Sequence, residues 1–451
     1  MNMRYCIALL IGFAALSGCH RNTNDETSYM RHLSLPTPPP TSPPTPTPPQ
    51  PTPTWRALHA ADSTYKVLYR FGDRDGSPNS QLLFVNDELY GTTFNAVYPT
   101  SSTVFRISTD GREKTMYQSV PSAERFNPSG DLSELDGTFY SVSFYGGTKA
   151  TRDAYGTGKG GILTFNKQGK EHVLYAFKGA PDGTAPSGGL INVNGTLYGT
   201  TSWGGSRCPN GPPGGFSGCG TVYSISPSGD ERVLYSFGGG EGGAQPNGSL
   251  INVDGTLYGT TFLGGGANCS FGRGEGCGTV FSISTNGKET VLYRFASCCG
   301  GDGAQPNGRL LNVNGTLYGT THFGGRGDPG LGTVYSITRS GAERILYAFR
   351  GTSDGFYPSA LIELNDKLYG TTEGGGDSTC GTLYSLTWFN SSAPAAKHIL
   401  HSFACGSDGA VPESLTNVHG VLYGTTSGQP NSTLPGRETV GAQPTIFTLA
   451  P

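Results

Sequence analysis

Glu134 and Glu363 are the residues whose chemistry is easiest to name. They are two carboxylates at one point of a repeated unit, the groups that a glycosidase or lyase uses as general acid and general base. The same position carries Asn192, Asn252, Asn312 and Asn417 in other units. A polar group that returns in this way reads first as a shared structural role, hydrogen bonding between neighbouring units, and the two glutamates stand in units that are not adjacent. Asp75-Gly76, Asp182-Gly183, Asp302-Gly303, Asp354-Gly355 and Asp408-Gly409 also recur, each with a proline shortly after. A calcium ion wants about six to eight oxygens, and one carboxylate per unit, spread round a ring, does not gather them. An aspartate folding back on its own turn, with glycine accepting positive φ, explains the pattern without metal. The eight histidines show no Ser/His/Asp order, Cys/His pair or metal-ligand spacing. No catalytic residue, metal site or cofactor is assigned.

The elements that position these residues come from one pentapeptide. Leu-Tyr-Gly-Thr-Thr at Leu89–Thr93 returns at Leu197, Leu257, Leu317, Leu368 and Leu422, with a worn copy at Phe139–Ser143. The tyrosines are 50, 58, 60, 60, 51 and 54 residues apart, a period that signals a solenoid or a propeller. In the third copy Leu190–Val193 runs through Asn194-Gly195 into Thr196–Thr201, and two β-prone runs joined by Asn-Gly are a hairpin signal. A glycine-rich loop, Gly220–Ile225, a Pro-Ser-Gly turn and Arg232–Phe237 complete four short strands. With 71 glycines and 31 prolines in 451 residues, and no sustained helical period beyond the first twenty positions, the chain reads as all-β. Seven such units predict a seven-bladed β-propeller of four-stranded blades. The chain opens with a lone outer strand, Tyr65–Phe71, which would complete the last blade, begun at Leu415, and close the ring. An open solenoid would want distinct capping units, and none is evident. A closed ring is expected to act as a monomer.

This pattern of an Asn/Asp-Gly turn, Leu-Tyr-Gly-Thr-Thr, a Gly-Gly loop and Gly-Thr-Val-Tyr resembles the bacterial tandem repeat called GloVer (Gloeo/Verruco). The resemblance covers about Thr64 to Pro451 and departs most in the second copy, at Ser141-Val142-Ser143 and Gly161–Thr164. It implies an exported, anchored protein and brings no catalytic residues with it. A weaker likeness to NHL-type and Kelch-type repeats supports the same blade order.

Residues 1–18 read as a signal peptide, with Arg4 followed by an apolar run from Tyr5 to Leu16. Leu16-Ser17-Gly18-Cys19 resembles the lipobox of bacterial lipoproteins, which implies lipidation of Cys19 and a membrane as partner through that lipid. His20, rather than aspartate, after that cysteine implies export to the outer membrane. Residues 19–63 form a stalk, because Pro36–Pro53 holds 11 prolines in 18 residues and should extend as polyproline II over about 55 Å. The propeller is expected over 64–451. A net charge of −3 with no basic stripe argues against nucleic acid as a partner.

In such a meander, all large length variation falls on one face, in the loops after Leu-Tyr-Gly-Thr-Thr. Variable loops on a fixed scaffold are where binding usually sits. Aromatic residues recur there, among them Tyr145, Trp203, Phe262 and Phe323, and exposed rings could stack on sugar faces or grip a peptide. Trp203 is the ring to test first. Setting aside Cys6 and Cys19 leaves eight cysteines on that face, an even number that favours four disulfides in an exported protein. Cys208 should pair with Cys219 and Cys380 with Cys405. Cys277 should meet Cys298 or Cys299, taken here as Cys299, which leaves Cys269 for Cys298. The leading functional expectation is a non-enzymatic binding or scaffolding module for a glycan, a peptide or an envelope protein. The alternative is an envelope polysaccharide hydrolase or lyase with a site at the propeller mouth.

Overall fold

The computed structural model describes residues 64–72, 75–78, 80–94, 102–119, 126–147, 158–208, 218–266, 276–296, 301–325, 330–387, 395–428 and 442–451. They form seven antiparallel sheets, numbered here as blades: 1 (77–118), 2 (129–176), 3 (183–236), 4 (244–294), 5 (303–348), 6 (356–402) and 7 (412–450 with 64–70). The expected residues 1–18 and 19–63 lie outside the described residues.

Blade 3 shows how the sequence builds the unit. Asn194 and Gly195 both take positive φ, 52° and 82°, so the chain turns in two residues and Val193 pairs with Thr196. The strand Thr196–Gly204 then pairs with Thr221–Ile225, which pairs with the outer strand Glu231–Ser236. Three letters of the repeated pentapeptide show their structural roles directly. Leu197 is fully buried. A Cβ on Gly199 would lie 2.5 Å from the Tyr223 hydroxyl, so the glycine makes room for a ring lying across its strand. Thr201 shares a hydrogen bond with Thr221 at 2.7 Å, tying the second strand to the third. Thr261 with Thr279, Thr321 with Thr333 and Thr372 with Thr382 repeat that bond.

The apolar core is divided among the blade interfaces. Seven hydrophobic clusters each draw on two neighbouring blades, and one of them joins Ile446 and Tyr423 of blade 7 to Leu89 and Phe105 of blade 1. The ring therefore closes through an interface of the same kind as the rest. Outside blade 1, a phenylalanine follows the outer strand and meets an aromatic of the next blade edge-on, as Phe177 does with Tyr223, Phe237 with Phe281 and Phe349 with Tyr384, at 5.2, 5.2 and 5.4 Å. Phe71 meets Phe105 at 5.2 Å in the same way. Phe71 follows the strand Thr64–Arg70, which pairs antiparallel with Thr445–Ala450 and supplies the outer strand of blade 7. The three-plus-one closure read from the sequence is thus present in the ladder.

Inner strands of adjacent blades pack side by side around the axis, and in blade 3 the ladder breaks between Ser187 and Ile191. Gly188 sits in that bulge at φ 67°. A Cβ there would fall 2.4 Å from the carbonyl carbon of Gly248 in blade 4. Blade 1 shows the break most openly, its inner strand being split into Ser77–Pro78 and Leu83–Val85.

Candidate functional site

The repeated polar position does not bridge blades as expected. Asn192 Oδ1 accepts the backbone N–H of Gly195 at 2.8 Å, and Asn252, Asn312 and Asn417 make the same bond to Gly255, Gly315 and Gly420. Glu134 and Glu363 do likewise, to Gly137 and Asp366. The reason is local: the side chain accepts the N–H of the second turn residue, three positions on, which the tight hairpin leaves without a ladder partner. These two glutamates cap separate turns and do not form an acid–base pair.

The Asp-Gly aspartates also serve their own turns. Asp182 accepts from the Gly183 and Lys178 backbone N–H groups at 2.6 and 2.8 Å, and from the Tyr175 hydroxyl at 3.0 Å. Asp354 accepts from Tyr347 and from the Arg350 N–H, and Asp408 faces His401 at 3.1 Å. Among the described residues, no group of three His, Cys, Asp or Glu side chains could hold a metal ion.

Trp203 and Phe323, expected as exposed rings, are 3% and 7% exposed. Their strands continue past the pentapeptide as far as Gly204 and Gly324, pairing Trp203 with Thr184 and Phe323 with Ala304. Rings at those positions therefore fill the ends of blades and offer no face to a ligand. Tyr145 and Phe262 are half-buried, Tyr145 edge-on to Phe144 at 4.7 Å. Disulfides join Cys208 to Cys219 and Cys380 to Cys405, with Cα atoms 5.5 and 5.3 Å apart. Cys277 is fully buried and disulfide-bonded. Cys19, Cys269, Cys298 and Cys299 lie outside the described residues.

Two polar groupings were not evident in the sequence. At the axis, Ser249 of blade 4 donates to Asp131 Oδ2 of blade 2 at 2.6 Å, passing over Gly189 of blade 3, whose N–H donates to Ser249 Oγ at 2.7 Å. Asp131 also accepts the Gln81 N–H from blade 1, and Arg309 of blade 5 reaches Gln81 Oε1 across the ring at 3.2 Å. These side chains meet across the opening between blades, and Arg309 remains exposed. Nearer the variable loops, His322 of blade 5 stacks on Tyr357 of blade 6 at 4.1 Å, with Nδ1 3.9 Å from Glu373 Oε1. Burial holds the His322 imidazole down to about 4, so it is neutral at neutral pH. Both groupings join residues from different blades, which spacing along the chain does not reveal.

Three half-buried carboxyl groups lie on the blades, Glu231 and Glu343 on outer strands and Glu413 on the inner strand of blade 7. Desolvation, reinforced by the neighbouring Asp182 and Asp302 carboxylates, pushes Glu231 and Glu343 up to about 7. Burial raises Glu413 to about 7 as well. A carboxyl that holds its proton more tightly when folded contributes stability that is complete below its unfolded value, 4.5, and is lost as pH rises through about 7. His322 works oppositely, its contribution being lost as pH falls from 6.5 through about 4. Three glutamates outweigh one histidine on the alkaline side. The melting temperature is therefore expected to be higher at about pH 6 than at about pH 8, and Glu343→Gln to flatten the difference. Calorimetry across that range checks it.

The Gloeobacter/Verrucomicrobia repeat model matches residues 54–211 and 212–434. The chain belongs to this repeat family. In the Gloeobacter/Verrucomicrobia repeat, as seen here, the signature residues are those that tie strand to strand and blade to blade. No curated protein matches the chain. Solved structures similar to it include a computationally designed protein, Ika8, at 13% identity, 84% of this chain, 99% of that one and a TM-score of 0.43. An oxidoreductase described as a glucose dehydrogenase from Thermus thermophilus aligns at 16% identity, 86% and 100% coverage and a TM-score of 0.43. A protein described as a 6-phosphogluconolactonase from Bacteroides uniformis aligns at 14% identity, 75% and 88% coverage and a TM-score of 0.48.

Proposed function

We propose that this repeat protein is a non-enzymatic binding or scaffolding propeller, tethered to the bacterial outer membrane by a lipid on Cys19 and held off it by the stalk of residues 19–63. Its partner is a glycan, a peptide or another envelope protein, taken up on the variable-loop face. The observation that supports this reading is the division between the two faces. On one face the strands are joined by turns as short as Asn194-Gly195; on the other, the gap between the second and third strands runs from 375–381 in blade 6, through 205–220 in blade 3, to 427–444 in blade 7. A constant scaffold that varies its loops on one side is organised for recognition. The neighbouring carboxyls, Asp182 with Glu231 and Asp302 with Glu343, are by contrast half-buried beside the outer-strand tyrosines Tyr175 and Tyr293.

The alternative, an envelope polysaccharide hydrolase or lyase, draws on one observation, the neutral His322 beside Glu373 at the loop end of the inner blades. A general base needs this protonation state, though His322 is 5% exposed. A glycan and peptide array probed with the purified protein and with a variant carrying a shortened 205–218 loop tests the binding reading. Binding that the shortened loop abolishes is the expected result. Array binding indifferent to every shortened variable loop would overturn the assignment of the face.

A further inference from the structure

The face opposite the variable loops, built from hairpin turns, carries an open cleft of about 330 Å³ between blades 2 and 3. Asp136, Tyr140, Thr164 and His172 of blade 2 line it with Pro227 and Ser228 of blade 3. The equivalent place between blades 4 and 5 is differently filled. There Arg339 Nη1 of blade 5 donates to Asp254 Oδ2 of blade 4 at 2.8 Å.

The two places correspond residue by residue. Asp254 and Asp136 hold the same turn position, at φ 52° and 51°. Arg339 and Pro227 each stand two residues before a turn glycine, Gly341 and Gly229. Those glycines rest on the backbone carbonyls of Leu292 and Leu174, the same leucine in the preceding blade's outer strand, where an added Cβ would come within 2.4 and 3.0 Å. Tyr258 and Thr256 answer to Tyr140 and Thr138. The carboxylate is thus retained in the blade 2–3 cleft while proline replaces the arginine. Among the described residues Asp136 has no ion-pair partner.

We propose that this cleft binds a guanidinium group, the arginine side chain of a peptide or protein partner, in the place that Arg339 fills two blades on. Asp136 supplies the anion, and the hydroxyl-bearing walls from Tyr140 and Thr164 suit the remaining N–H donors. A planar guanidinium can meet a carboxylate through two parallel N–H bonds, which an ammonium cannot, so arginine is favoured over lysine. The site lies on the face away from the variable loops and stands apart from the reading of that face.

The test uses the full chain and the tripeptide acetyl-Gly-Arg-Gly-amide, with acetyl-Gly-Lys-Gly-amide as comparison. Binding is read from the His172 imidazole NMR signals, assigned with a His172→Gln variant, and from calorimetry. The expected result is a saturable shift with the arginine peptide and a weaker response to lysine. Asp136→Asn should weaken binding about tenfold. Pro227→Arg should abolish it by filling the cleft from within, in a protein that stays folded because blade 5 accommodates arginine at this turn. No saturable shift with the parent protein would overturn the proposal. So would binding undiminished in Asp136→Asn, or retained in a folded Pro227→Arg, or equal for the lysine peptide.

Discussion

A chain lacking residues 64–71 is expected to lose its cooperative fold. The strand Thr64–Arg70 makes the last ladder of blade 7 with Thr445–Ala450. Tyr65 stacks on His401 at 3.6 Å and donates to the Asp408 carbonyl at 2.9 Å. Phe71, 3% exposed, seals blade 7 against Phe105 of blade 1. Without this strand Thr445–Ala450 becomes an open edge with unpaired backbone groups, beside a blade interface stripped of its aromatic plug. Phe71→Ala alone should cost about 3–5 kcal/mol, the usual range for emptying a phenylalanine site in a core. Urea unfolding of the Phe71→Ala protein, and size-exclusion with near-ultraviolet circular dichroism of the truncated one, check both. An unchanged urea midpoint or a compact truncated monomer would show that the ring is closed elsewhere.

Gly188→Ala should be nearly as damaging, at about 4 kcal/mol or more. Two costs combine. At φ 67° a side chain pays for the left-handed conformation, roughly 1–2 kcal/mol. The added Cβ would also lie 2.4 and 2.5 Å from the carbonyl carbon and oxygen of Gly248. That neighbour cannot retreat freely, since a Cβ on Gly248 would itself come within 2.5 Å of Gly308 in blade 5. Gly195→Ala isolates the first cost: its φ is 82°, but nothing lies within 4 Å of the new carbon. Urea midpoints should therefore separate the two variants by about 2 kcal/mol or more. Equal destabilisation would mean that contact at the axis contributes little.

Fold and site differed in how far they could be read from the sequence. The architecture was legible because its determinants are local and repeated: Asn194-Gly195 forces a hairpin between the first two strands, and Thr201 pairs with Thr221 where the second strand meets the third. The first strand's place followed from unit order, since a lone outer strand has one blade lacking it. Side-chain exposure was less legible. Trp203 follows the pentapeptide and precedes a Gly-Gly, which reads as loop, yet the strand extends through Gly204 and buries the ring. Asn192 and its equivalents were read as bridges between blades, whereas the nearest unsatisfied donor is three residues away in the same turn. The axial grouping was hidden for a different reason. Gln81 and Arg309 are 228 residues apart and occupy a position that holds Asp131, Gly189 and Ser249 in the blades between them, so repetition gives no signal.

The measurement that bears most directly on the proposed role is an incubation of the purified protein with insoluble envelope polysaccharide, reading both the protein retained on the solid and the soluble saccharide released. A binding propeller is expected to be retained saturably, with no release above a protein-free control. Release that rises with time and protein concentration, and that His322→Ala or Glu373→Gln abolishes, would contradict the binding reading and install the His322–Glu373 pair as the centre of an enzyme.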